Sequence, residues 1–142
     1  MATNQKMKPH FIHELDLRPM PDGRNFELQH PLGFWSKRTG LITVPHGFKT
    51  DLASVPQVFW NIIPPFGKYD DAAVVHDWLY RTHVTSRATA DATLLLGMKI
   101  RRVAFWKRWA MYLAVRTFGW ACWGRKARHI HPVHHHIHHP HQ

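Results

Sequence analysis

One cysteine, Cys122, stands among 142 residues, which excludes an internal disulfide and fits synthesis in a reducing compartment. Acidic side chains are also few, nine against nineteen lysines and arginines, and none follows Asp91. The formal charge of +10 therefore resides almost wholly in the C-terminal third, where Lys99, Arg101, Arg102, Lys107, Arg108, Arg116, Arg125, Lys126 and Arg128 lie. Such an excess favours anionic partners, namely nucleic acid, an anionic lipid surface or an acidic protein, without choosing among them. No recognised nucleic-acid reading motif is present. Long apolar runs are missing too: residues 105–123 form the longest apolar stretch, and Lys107, Arg108 and Arg116 interrupt it, which argues against a simple membrane span. The opening MATNQKMKPHFIHELDL is polar at its start and lacks the apolar core of a secretory signal. No internal repeat is visible.

What is present reads as a globular chain, because 44% hydrophobic and 20% charged residues are enough apolar side chains to build a core. At this length one domain is expected, over residues 1–128, followed by a flexible tail over 129–142. The tail, HIHPVHHHIHHPHQ, holds eight of the fourteen histidines and would bind transition metals without a fixed scaffold.

The densest chemistry lies in residues 70–91, DDAAVVHDWLYRTHVTSRATAD. Asp70 and Asp71 suit the first turn of a helix that the apolar periodicity carries to about Arg81. A second helix begins at about Ser86, a candidate N-cap, and carries Leu94, Leu95 and Met98, with Leu95 expected to be structural. The connection is short, so the helices should pack antiparallel. Residues equally far from the turn then meet, and His76 and Asp91 are such a pair. The expected approach is hydrogen-bond reach, about 2.6–3.2 Å. One ring nitrogen of His76 would donate to a buried Asp91 carboxylate, leaving the other as a general base, with Tyr80 one turn on from His76. Asp77, about 100° round the helix, would face a cation or solvent. A purely structural His–Asp bond is the competing reading.

Upstream, Phe26 and Leu28 alternate with polar residues, as does the segment Leu41, Ile42, Thr43, Val44, after a turn marked by Pro19, Pro21, Asp22 and Gly23. A small N-terminal antiparallel sheet followed by a helical hairpin and a basic third helix gives an α+β fold. Asp51 and Ser54, in TDLAS, would cap a short helix or coordinate an ion, capping being preferred. Along the last helix Trp106, Trp109, Trp120 and Trp123 are interleaved with Lys107, Arg108 and Arg116. That composition suits a helix lying on anionic lipid, and Lys107, Arg108, Trp106 and Trp109 are its candidate binding residues. The preferred alternative packs these tryptophans, Met111, Leu113 and Val115 on the hairpin, and a partly exposed Trp face would reverse that preference.

The order HDxxY, a short connection and AD on the next helix resembles the catalytic helix pair of secreted and parvoviral phospholipases A2. The resemblance implies that His76 activates water, Asp91 orients it, Tyr80 joins the network and Asp77 binds calcium, with zinc as the alternative metal. The single cysteine departs from the disulfide-rich secreted enzymes, and the loop FGKY lacks their multiple calcium-loop glycines. GFKTDLASVP at 47–56, HDWLY and the Trp/Arg-rich last helix together resemble a phage- and prophage-encoded family catalogued as a domain of unknown function. That implies a phage product made in the host cytoplasm and acting in the virion or at the host envelope. Two functions follow: a small metal-dependent hydrolase of the cell envelope, phospholipase A2-like, or a non-enzymatic virion, tail or assembly protein that contacts other virion proteins and uses the His–Asp pair structurally.

Overall fold

The computed structural model describes residues 7–23, 25–50 and 70–129. Asp51, Ser54, the apolar cluster before Pro64, the FGKY loop and the tail beyond residue 129 lie outside the described residues. The expected α+β architecture is present. Two three-stranded antiparallel sheets precede three helices.

The first sheet joins β1 (His10–Ile12), β4 (Leu32–Ser36) and β5 (Gly40–Val44), with β4 central. The second joins β2 (Leu17–Pro19), β3 (Phe26–Leu28) and β6 (Lys49–Thr50), with β3 central. The turn expected at Pro19 to Gly23 connects β2 and β3, and Gly23 takes a positive φ of 73° there. The strand Leu32–Ser36 has no counterpart in the sequence reading. Leu32, Gly33 and Phe34 are all buried, so the strand lacks the alternation by which a half-exposed strand is recognised.

α1 spans Asp70–Thr82, α2 Arg87–Ile100 and α3 Phe105–His129. α1 starts where its two aspartates meet the N-terminal dipole, and the Asp71 carboxylate also accepts a bond from the Arg101 side chain at 2.5 Å. It ends at His83, whose φ of 55° is left-handed and whose ring stacks on Trp123 at 3.6 Å between centroids. Ser86 caps α2, its hydroxyl accepting from the Thr89 N–H at 3.1 Å.

Leu28, Leu32, Phe34, Ile42 and Val44 from the sheets bury against Val74, Val75 and Leu79 of α1. A second cluster, Ala72, Leu94, Met98, Val103, Met111 and Val115, lies among the helices. Gly97 permits the close approach of α1 and α2, because a Cβ there would lie 2.7 Å from the Ala72 Cβ. Two sequence expectations need correction. Leu94, 2% exposed, is the core leucine of α2, whereas Leu95 is only half-buried. On α3, Met111 and Val115 do pack inward, but Leu113 is 59% exposed and Trp106, Trp109 and Trp120 face outward, because α3 docks through a narrow arc of its surface.

Candidate functional site

The antiparallel pairing of α1 and α2 brings His76 and Asp91 together as their spacing requires. His76 Nε2 donates to Asp91 Oδ1 at 2.8 Å, with both side chains buried. Tyr80, one turn along α1, donates its hydroxyl to the same oxygen at 2.5 Å, and its ring centroid lies 4.2 Å from that of His76. Donation through Nε2 makes Nδ1 the basic nitrogen of the neutral ring.

The second carboxylate oxygen is held by two residues that the sequence alone does not assign to this site. Arg116 Nη1 of α3 lies 2.9 Å from Asp91 Oδ2, and Arg87 Nη1 of α2 lies 3.4 Å from it. Arg87 also donates to the Val115 carbonyl at 3.0 Å, so it ties α2 to α3. Its spacing of i,i+4 from Asp91 is a local signal that could have found it. Arg116, 25 positions away, has no such signal.

Burial would by itself push the Asp91 carboxyl up. Hydrogen bonds from His76 and Tyr80, the electrostatic interaction with His76 and the bond from Arg116 outweigh burial and hold it below the usual carboxylate range. The Tyr80 phenol moves the other way, driven above its ordinary value first by burial and then by the Asp91 hydrogen bond and charge. Asp91 is therefore an ionised acceptor at neutral pH and Tyr80 a neutral donor.

Asp77 is buried, with Oδ2 3.4 Å from the Arg81 guanidinium one turn on. The cation it faces among the described residues is thus an arginine. No group of three or more His, Cys, Asp or Glu that could hold a metal occurs among the described residues. Asp77 alone does not supply the six to eight oxygens that calcium takes. Trp106, Lys107, Arg108 and Trp109 lie about 10–15 Å along the α3 axis from Arg116, by the rise per residue, and form a separate surface.

Gly119 of α3 stands against this cluster. A Cβ at that position would run into the Tyr80 hydroxyl and come within 3.2 Å of Arg87 Nη1. Gly119→Ala is therefore expected to displace the Tyr80 hydroxyl and cost about 1–3 kcal/mol, despite the better helix propensity of alanine. Urea denaturation measures the loss, and a variant as stable as the parent would show that Tyr80 has room to move.

A family profile described as "Protein of unknown function (DUF1353)" matches residues 26–115, which include both sheets' central strands, His76, Tyr80 and Asp91. The chain is also 37% identical over 108 residues to the "Uncharacterized protein y4jT" of Sinorhizobium fredii, a match covering 75% of this chain and 31% of that protein. The chain thus spans about a third of the length of that relative. No solved structure matches it. With the profile covering the greater part of the chain, including the helix pair and its buried His–Asp–Tyr cluster, this protein belongs to the DUF1353 family.

Proposed function

We propose that the protein is a small hydrolase in which His76 is the general base, Asp91 its orienting carboxylate and Tyr80 a support for that carboxylate. The observation that carries this reading is the pair of bonds on one oxygen, His76 Nε2 at 2.8 Å and Tyr80 Oη at 2.5 Å from Asp91 Oδ1. A buried carboxylate, histidine and tyrosine held by two half-buried arginines cost more to form than apolar side chains of the same volume, and such perturbed polar clusters concentrate at functional sites. An ester of the cell envelope is the substrate class proposed, with a lipid ester favoured by the phospholipase-like order of residues.

In the proposed reaction His76 Nδ1 takes a proton from water as the water oxygen attacks the ester carbonyl. Asp91 stabilises the resulting imidazolium, and the proton is returned to the departing alkoxide as the C–O bond breaks. Hydrogen bonds from His76, Tyr80 and Arg116 keep Asp91 ionised throughout. Asp77, with Asp51 as a further donor, would hold a divalent ion, calcium favoured over zinc, which would supply Lewis-acid polarisation of the carbonyl.

His76 is 1% exposed, so turnover requires the cluster to open to substrate. That burial favours a second reading, a non-enzymatic virion or assembly protein in which the cluster locks three helices together. The resemblance of the GFKTDLASVP and HDWLY order to a phage-encoded family supports a phage or prophage source for either.

The two readings separate in one experiment. Purified protein is incubated with mixed anionic vesicles and calcium, zinc or manganese, and released fatty acid is measured. Release that His76→Ala abolishes while unfolding stays cooperative supports the hydrolase; no release from the parent protein with any of the ions rejects the lipid-ester version.

A further inference from the structure

α3 carries on its outer side a line of exposed apolar side chains that the His76 cluster does not use. Phe105, Trp106, Trp109, Leu113 and Trp120 are 67%, 56%, 39%, 59% and 68% exposed. At 100° per residue these five fall within an arc of about 100°, and they extend about 22 Å along the axis. Met111, Ala114 and Val115, on the other side, face the hairpin and are buried. Trp106, Leu113 and Trp120 recur at intervals of seven, so they stay on one line along the helix.

Cations border the stripe. Lys107 Nζ lies 5.5 Å from the centroid of the Trp106 ring, and the Arg108 guanidinium lies 5.2 Å from that of Phe105. Arg102, exposed just before the helix, adds charge at the same end, and no acidic residue follows Asp91 anywhere in the chain. A second copy of this chain on the stripe would bring two such basic helices together with no acidic partners between them, the reverse of what stabilises a helix pair. Nucleic acid would satisfy the cations, yet its phosphates offer nothing to Leu113 and Phe105. An anionic bilayer surface meets both halves at once, with headgroups for the cations and the acyl boundary for the rings. No described helix is long and apolar enough to cross a membrane, so α3 would lie on the surface.

We infer that the Trp106–Leu113–Trp120 face of α3 is a docking surface for anionic lipid, seating the helix in the plane of the membrane interface. This does not rest on the hydrolase reading, since binding and product release are separate readouts. Arg116, on the same helix, reaches Asp91, so a docked α3 would hold the His76 cluster close to the bilayer.

The test uses the full chain with vesicles of phosphatidylglycerol or of phosphatidylcholine at about pH 8, where imidazoles are neutral and the histidine tail adds no charge. Expected are co-sedimentation and a blue shift of Trp emission with phosphatidylglycerol alone, both weakened by salt. Trp106→Ala with Trp120→Ala should lower the partition coefficient by at least about tenfold, with the melting transition unchanged. Lys107→Gln with Arg108→Gln should lower it and flatten its salt dependence. Overturning results are equal binding to both vesicle types, no binding to either, or undiminished binding by the double tryptophan variant. An outcome in which those tryptophans are needed for binding a single-stranded oligonucleotide or for self-association, and not for vesicle binding, would equally overturn it.

Discussion

Asp91→Ala is expected to lower stability by about 3–5 kcal/mol, because it leaves Arg87 and Arg116 without their carboxylate and removes the acceptor of His76 and Tyr80. For a chain of this size that is a fall in melting temperature of roughly 10 °C or more. Asp91→Asn should recover part of the loss by keeping the shape and one acceptor oxygen, while still failing to balance the two guanidinium charges. The pH dependence has a definite sign. The Asp91 carboxyl is held below its unfolded value, so its contribution is fully present above about pH 5 and is lost as pH falls through the folded-state pKa. Guanidinium melts of parent and Asp91→Asn between pH 7 and pH 3 check both points. The gap between the two proteins should close toward acid pH, and a constant gap would mean that the charge of Asp91 contributes nothing to stability.

Leu94→Ala should cost about 2–5 kcal/mol, whereas Leu95→Ala next to it should cost about 1 kcal/mol or less. Leu94 is 2% exposed and shares its cluster with Ala72 of α1 and Met111 and Val115 of α3, so truncation opens a cavity where three helices meet. Leu95 turns partly toward solvent and leaves no comparable void. Equal losses in urea denaturation would show that the neighbouring side chains collapse into the space left by Leu94.

The leucine pair shows where periodicity stops being informative. Leu94, Leu95 and Leu96 are consecutive, and a run of three apolar residues covers 200° of a helix. Which of them faces inward depends on how α2 rolls against α1, and Gly97 decides that roll by admitting Ala72.

What residues 70–91 determined by themselves was the helix pair and the meeting at its centre. Asp70 and Asp71 at one start, Ser86 as the cap of the other and only four residues between the helices are local signals, and a short connection allows only an antiparallel return. Comparable distances from that connection then put His76 and Asp91 at about the same height, and the roll of α2 against α1 turns them face to face. The two small sheets were legible where strands alternate, as at Phe26–Leu28, and illegible at Leu32–Ser36, whose successive residues are buried on both faces. Only the tertiary structure decided what closes the cluster and what is left outside it. Arg116 reaches Asp91 because α3 crosses the hairpin at that height, and no local pattern reports a contact over 25 residues. α3 has apolar side chains around most of its circumference, so its sequence is consistent with several buried faces. Packing against α1 and α2 selects Met111, Ala114 and Val115, and that selection turns Trp106, Leu113 and Trp120 outward.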